Sequence, residues 1–466
     1  VFLIFFNILL LWKNYIWFSK YLKLISMNKF LSLFVVLLVT NCIYSQNIEY
    51  TEYTLENGLH VIIHQDNSAP VIATEVMYHV GSRDEVEGKS GFSHFFEHMC
   101  ASSSANSPNI KKRQWKQIIT SKGGVANAST WKDRTNYFNF FPSNNLELAL
   151  WLQSERMLHA IIDQDQVDTQ NEVVKEEKRD RIDNSPYAKF GYREIDKYMF
   201  TNHPYGQSVI GSFEDLDSAS LEEFQEFYKK WYNPNNAVLV IGGDLDTEKT
   251  KKLVEDYFGD IENNNPKPAK PNIIQQPITE TIKVTEYDAN IEIPAKIFSY
   301  ITERNSHKDS YVLNYISQIL TGGKSSRLYK KMVDEDKTAL QIFSYGRYDQ
   351  EYGTFSIFAL PLGETSLETL AEEIDAQIYK LQTELITERE FEKINNQIET
   401  SFVQKNTGIL GITSSLAEYY LLYDDTSLIN DEIEMYRSIT REDIMRVANE
   451  YLKPNQRLDM DYVKKQ

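Results

Sequence analysis

His94-Phe95-Phe96-Glu97-His98 sets two histidines at i and i+4, so on a helix both imidazoles leave one face, a turn apart. That spacing suits a tetrahedral zinc ion: Zn–N bonds of about 2.0–2.1 Å close on both rings and leave room for a further protein ligand and for water. Glu97 is close enough to reach the water without occupying the metal. A carboxylate there acts as general base toward water activated by the metal, which is peptide-bond hydrolysis chemistry. Two His and one Glu fall in this pattern by chance in roughly one chain in a hundred of this length and composition. Phe95 and Phe96 read as core packing.

A helix beginning near Ser93 must carry these residues, with Ser93 read as part of its initiation. Before it, residues 48–63 form two strand-like runs about the turn Glu56-Asn57-Gly58, a hairpin signal. Residues 71–80 predict a third strand. After it, 144–160 has apolar residues at helical spacing, 167–182 continues as a charged helix, and 237–243 (AVLVIGG) reads as a short buried strand.

Residues 263–272 (NNNPKPAKPN) have the composition of a semi-extended linker. A second round of elements follows, with strands at 281–287, 295–301, 340–346 and 353–360 and a helix at 309–320. The expected fold is α+β: two domains, each a mainly antiparallel sheet with helices packed on one face. The divisions are 46–262 for the metal-bearing half, 263–275 for the linker and 276–466 for the second half.

The first 45 residues carry four lysines and no acid, leaving 45 basic against 67 acidic residues beyond them. That balance argues against a nucleic-acid partner, which wants a basic face. Residues 27–45 have the charged start, short apolar run and small residues of a secretory signal peptide; the apolar run 30–39 falls short of the about 20 residues of a membrane span. Export to a periplasm or cell envelope is the expectation. Residues 1–26 read as an uncertain leader or misassigned start, and Cys42 offers lipid attachment as a lesser alternative. Two cysteines, Cys42 and Cys100, give no disulfide framework.

H-x-x-E-H is the inverse of the common H-E-x-x-H order and matches the inverzincin signature. With GFSHFFEHM at 91–99, GGVANASTWKDRTNYF at 123–138, NEVVKEEKR at 171–179, HPYG at 203–206 and GGKSSRLYKK at 322–331, the chain resembles the pitrilysin/insulinase family of zinc peptidases, in particular half-length members like the mitochondrial processing peptidase. The resemblance implies one zinc ion per chain with His94 and His98 as ligands, Glu97 as base and a downstream glutamate completing the site. That glutamate is expected at Glu177, 79 residues after His98, with Glu176 as rival; adjacent helix positions lie about 100° apart, so only one faces the metal. Glu172 is either a second acid supporting the site or a solvated charge. His60, His64, His79, His159, His203 and His307 show no second pair at metal spacing, and Cys100 reads as a small buried residue.

The resemblance further implies that Asn127, Ala128, Ser129 and Thr130 lie on an edge strand that pairs with substrate backbone. The competing reading is an ordinary core hairpin. Relatives also place an Arg and a Tyr, seven residues apart, against the substrate carbonyl; the matching positions here are Val333 and Leu340. Arg347 and Tyr348 are adjacent and on a strand point to opposite faces, so they do not replace the pair. The chain thus resembles the zinc-bearing half of a two-chain clamshell acting on peptides or unfolded proteins, with a homologous partner chain supplying Arg and Tyr, or a homodimer. The main alternative is a non-catalytic binding or assembly subunit of the same fold.

Overall fold

The computed structural model describes residues 47–101, 104–112, 114–263 and 265–465. The leader, the expected signal peptide and Cys42 lie outside the described residues. Within them, no helix is long and apolar enough to cross a membrane.

The first half opens with the expected hairpin, β1 (Thr51–Thr54) and β2 (His60–Gln65), paired antiparallel. Its turn works because Gly58 takes φ 90°, a region open to glycine, while Asn57 Oδ1 accepts from Leu59 N at 3.1 Å. β3 (Val71–Tyr78) leads to helix α1 (Phe92–Cys100), then helix α2 (Gln114–Ser121), strands β4 (Val125–Thr130) and β5 (Thr135–Pro142), and helices α3 (Leu146–His159) and α4 (Gln164–Lys178). Helix α5 (Leu221–Trp231), strand β6 (Ala237–Gly243) and helix α6 (Thr247–Phe258) complete it. The sheet order is β1-β2-β6-β3-β5-β4, parallel only between β2 and β6.

A nine-residue helix is marginal alone, so α1 depends on packing. Phe92, Phe95, Phe96 and Met99 recur at helical spacing and are all buried. They meet α5, with ring centroids 4.1 Å apart for Phe92 and Phe224 and 4.6 Å for Phe95 and Phe224. At about 1.5–3 kcal/mol per buried side chain, this stripe outweighs the weak propensity of so short a helix. It also turns the opposite face, with both histidines, outward.

The second half repeats the plan. Strands β7 (Ile282–Asp288) and β8 (Ala295–Thr302), helix α7 (Lys308–Thr321), strands β9 (Ala339–Tyr348) and β10 (Gly353–Pro361), helices α8 (Leu367–Thr383) and α9 (Glu388–Lys405), and strand β11 (Leu458–Lys464) give the order β7-β11-β8-β10-β9. β7, β11, β8, β10 and β9 stand where β2, β6, β3, β5 and β4 stand in the first sheet, with the same single parallel pair between the first two. Helix α10 (Ile409–Glu418) of this half crosses over and packs on β3 and β6. The first sheet is therefore covered on its second face too, which is why all of β6 is buried. Residues 265–281, including most of the expected linker, hold no helix or strand.

Candidate metal centre

α1 starts in a tight place. Gly91 has φ 84°, and a Cβ there would stand 2.5 Å from the carbonyl oxygen of Ile210. Ser93 does not initiate the helix through its side chain; the buried Glu85 carboxylate does so from the preceding loop, accepting Gly91 N at 2.9 Å and Ser93 N at 2.7 Å. These are otherwise orphaned donors, and a carboxylate at a helix N-terminus is also favoured by the helix dipole.

The structure brings His94, His98 and Glu177 together, one ligand atom from each lying within 4.8 Å of the others. The two rings stand 4.7 Å apart at 79°. Glu177 reaches them from the end of α4, its Oε2 2.8 Å from His98 Nε2 and 3.6 Å from His94 Nε2. That oxygen is buried, yet neither ring donates a hydrogen bond of acceptable geometry to it. Three donor atoms crowded without hydrogen-bond alignment fit a shared cation better than a hydrogen-bond network, and two imidazoles with one carboxylate are a zinc donor set.

The electrostatics agree. Burial, with His98 beside it, pushes the His94 ring down to about 3, so it is neutral with a free lone pair at ordinary pH. Burial raises Glu177, but the His98 contact, the His94 ring and Arg181 overcome it and hold the carboxyl at about 2. Arg181 touches the other oxygen, Nη1 to Oε1 2.9 Å, from a π turn (Arg179–Asp183) that continues α4. Glu176 points elsewhere and pairs with Arg179 at 2.8 Å. Of the two readings of Glu172, the structure favours the solvated helix-face charge over a supporting acid: its side chain is 70% exposed and pairs with Lys175 at 3.0 Å.

Glu97 lies beside the cluster and is buried. Burial raises its carboxyl, partly offset by a hydrogen bond from Thr130 Oγ1 to its Oε2 at 2.7 Å. Thr130 ends β4, the edge strand of the sheet. Along β4, Val125, Asn127 and Ser129 are exposed, while Ala126, Ala128 and Thr130 are half-buried. Asn127, Ala128, Ser129 and Thr130 thus lie on an open edge next to the metal cluster.

The second half has a neutral counterpart. Asn314, Ser317 and Gln318, again at i, i+3 and i+4, line a cavity between α7, β9 and α9, the places of α1, β4 and α4. Ser317 hydrogen-bonds Ser344 of β9 at 3.0 Å, as Glu97 does Thr130. Without imidazole or carboxylate at these three positions, no second metal-type cluster forms among the described residues.

The remaining candidates have other partners. His60 stacks on Tyr420 at 3.8 Å, His79 bonds Gln350, His203 bonds Glu351, and His307 caps α7. His159 ends α3. Cys100 is buried, and burial lifts its thiol to about 12, far from thiolate character. Leu340 is exposed on β9 and Val333 packs at the rim of the second core. Arg347 is engaged by Asp196, and Tyr348 packs half-buried against the second core.

Two repeated α+β halves, one holding a His-His-Glu cluster that could take a metal ion with a carboxylate beside it, define the class of protein. The family model for insulinase (peptidase family M16) matches residues 60–212, and that for the peptidase M16 inactive domain matches 218–398. The zinc protease PqqE of Helicobacter pylori is 30% identical over 441 residues, covering 93% of this chain and 98% of its own. The uncharacterized zinc protease YmxG of Bacillus subtilis is 24% identical over 351 residues, 75% of this chain and 83% of its own. The crystal structure of a protease from Helicobacter pylori superposes with a TM-score of 0.83 at 30% identity over 89% of this chain and 99% of that one. The first half of the periplasmic protease PqqL from Escherichia coli shares the fold, with a TM-score of 0.74 at 17% identity over 89% of this chain and 92% of that one. The chain belongs to the insulinase family, peptidase family M16.

Proposed function

We propose that this chain is an exported zinc metalloendopeptidase that hydrolyses peptide bonds of unfolded peptides or small proteins, with one zinc ion held by His94, His98 and Glu177. The observation that carries the reading is the convergence of three ligand atoms within 4.8 Å beside the buried Glu97. When bound, zinc supplies Lewis acidity toward water and the scissile carbonyl. Glu97 takes a proton from the attacking water and passes it to the leaving nitrogen, and burial raises its proton affinity toward what such a shuttle needs. Thr130 keeps that carboxylate in one orientation. The β4 edge takes the substrate backbone as an added strand, which selects extended, unfolded chain over folded protein.

Val333 and Leu340 leave the substrate carbonyl without the Arg and Tyr donors of related peptidases. A second, homologous chain that supplies them therefore closes the clamshell over the substrate; the alternative, a second copy, would close it with the same Val333 and Leu340. In support, this chain spans 47% of the length of the periplasmic protease PqqL from Escherichia coli. Export is supported by the signal-type segment 27–45. The test is cleavage of a quenched peptide library by the mature protein, alone and mixed with a homologous chain, with size exclusion alongside. Cleavage that a chelator stops and that Glu97→Gln abolishes while keeping zinc supports the reading. Zinc-free protein that only binds peptide supports the non-catalytic subunit, and full activity of a lone monomer removes the partner.

A further inference from the structure

The turn that joins β4 to β5 follows directly on Thr130, the residue that holds Glu97. We propose that Asp349 and Glu351, in the β9–β10 turn of the second half, are positioning residues for Glu97, acting through this turn and Thr130; this rests on the peptidase reading above.

Trp131 Nε1 donates to Asp349 Oδ1 at 2.8 Å. Gln350 N donates to Asp133 Oδ2 at 3.1 Å, and Tyr205 Oη donates to the same carboxylate at 2.7 Å. Glu351 N donates to Tyr205 Oη at 3.1 Å, while the Glu351 carboxylate takes Arg83 Nε at 2.9 Å and touches His203 Nε2 at 2.6 Å. Arg83 in turn grips the turn's backbone, its N donating to Lys132 O at 2.9 Å. Lys132 is fully buried, with Nζ 2.9 Å from Asp196 and 3.6 Å from Asp349.

The packing allows little slack. A Cβ on Gly81 would stand 2.2 Å from Trp131 O and 2.4 Å from Lys132 O, so backbone meets backbone there. Buried charges cannot be left unpaired cheaply, so the turn has one arrangement while the second half is docked. Within the first sheet β4 pairs only with β5, so the docked turn is what steadies its far end. Arg347 belongs to this assembly through Asp196 and Asp349. The HPYG segment contributes His203 and Tyr205.

The experiment is a double-mutant cycle on the full mature chain with Asp349→Asn and Thr130→Ala, each checked for zinc content, together with hydrogen exchange of residues 125–135 in metal-free protein. Asp349→Asn is expected to lower kcat on the order of tenfold with KM within about twofold and zinc unchanged, since small misplacements of a catalytic group have effects of that size or larger. In the Thr130→Ala background the same change costs less than about twofold. Exchange in 125–135 becomes faster in Asp349→Asn. Multiplicative effects on kcat, or unchanged exchange, overturn the proposal. Trp131→Phe, which removes one hydrogen bond and keeps a ring, runs the same cycle if Asp349→Asn does not fold. The exchange arm reads the turn without catalysis, so an inactive wild type counts against the peptidase reading alone.

Discussion

Thr130 Oγ1 donates to Glu97 Oε2 at 2.7 Å, which ties the open edge strand β4 directly to the buried carboxylate beside the His94–His98–Glu177 cluster. In the proposed function, one strand thus sets where the peptide lies and how the base points. The second half of the chain is drawn into the same geometry through the turn that follows Thr130.

Thr130→Val removes that hydrogen bond while keeping shape and β-branching. A hydrogen bond to a charged group is worth about 1.5–3 kcal/mol, so kcat should fall on the order of tenfold to a hundredfold. Zinc content should stay at the wild-type level, because Thr130 touches neither histidine nor Glu177. Steady-state kinetics with parallel metal analysis decide it; a loss of zinc would mean that Thr130 supports the ligands instead.

Glu85→Ala should destabilise the protein by about 1–3 kcal/mol, since Gly91 N and Ser93 N lose their acceptor in a buried place. Urea unfolding measures it. An unchanged midpoint would show that other groups initiate α1.

Glu75 gives a pH prediction. It is fully buried under α10, where burial, partly offset by Ser414 and Thr413, lifts its carboxyl from 4.5 to about 7. The folded protein therefore keeps this proton to higher pH than the unfolded chain. Stability from this group is full below about pH 4.5 and is lost as pH rises through about 7. Glu75→Gln should match wild type near pH 4 and exceed it at pH 8 by about 3 kcal/mol, the size of the shift. Urea midpoints at the two pH values test it; a variant less stable at pH 8 would contradict the sign.

Much of the site was legible because its signals are local. HFFEH needs only helical spacing; that neighbours on a helix face different ways leaves one of Glu176 and Glu177 for the metal, and the family resemblance favours Glu177. The repeat of strands and helices was visible in periodicity. What sequence reading missed depends on distant residues. Glu85 is an acid in an irregular loop, and nothing nearby marks it as a cap. Asp349 and Trp131 meet only once both halves are folded, and α10 covers the first sheet from far along the chain. β11 alternates Leu458, Met460 and Tyr462 inward with Asp459 and Asp461, but its place between β7 and β8 is set by tertiary pairing. Helix position alone left Glu172 open between a supporting acid and a solvated charge, because it does not show that Lys175 and solvent claim it.

The most direct measurement is zinc per chain by elemental analysis on purified mature protein, on Glu177→Gln and on Glu176→Gln. The account predicts close to one zinc in the wild type and in Glu176→Gln, and a large loss in Glu177→Gln, because only Glu177 reaches both rings. Zinc retained in Glu177→Gln, or no zinc in the wild type, would contradict it.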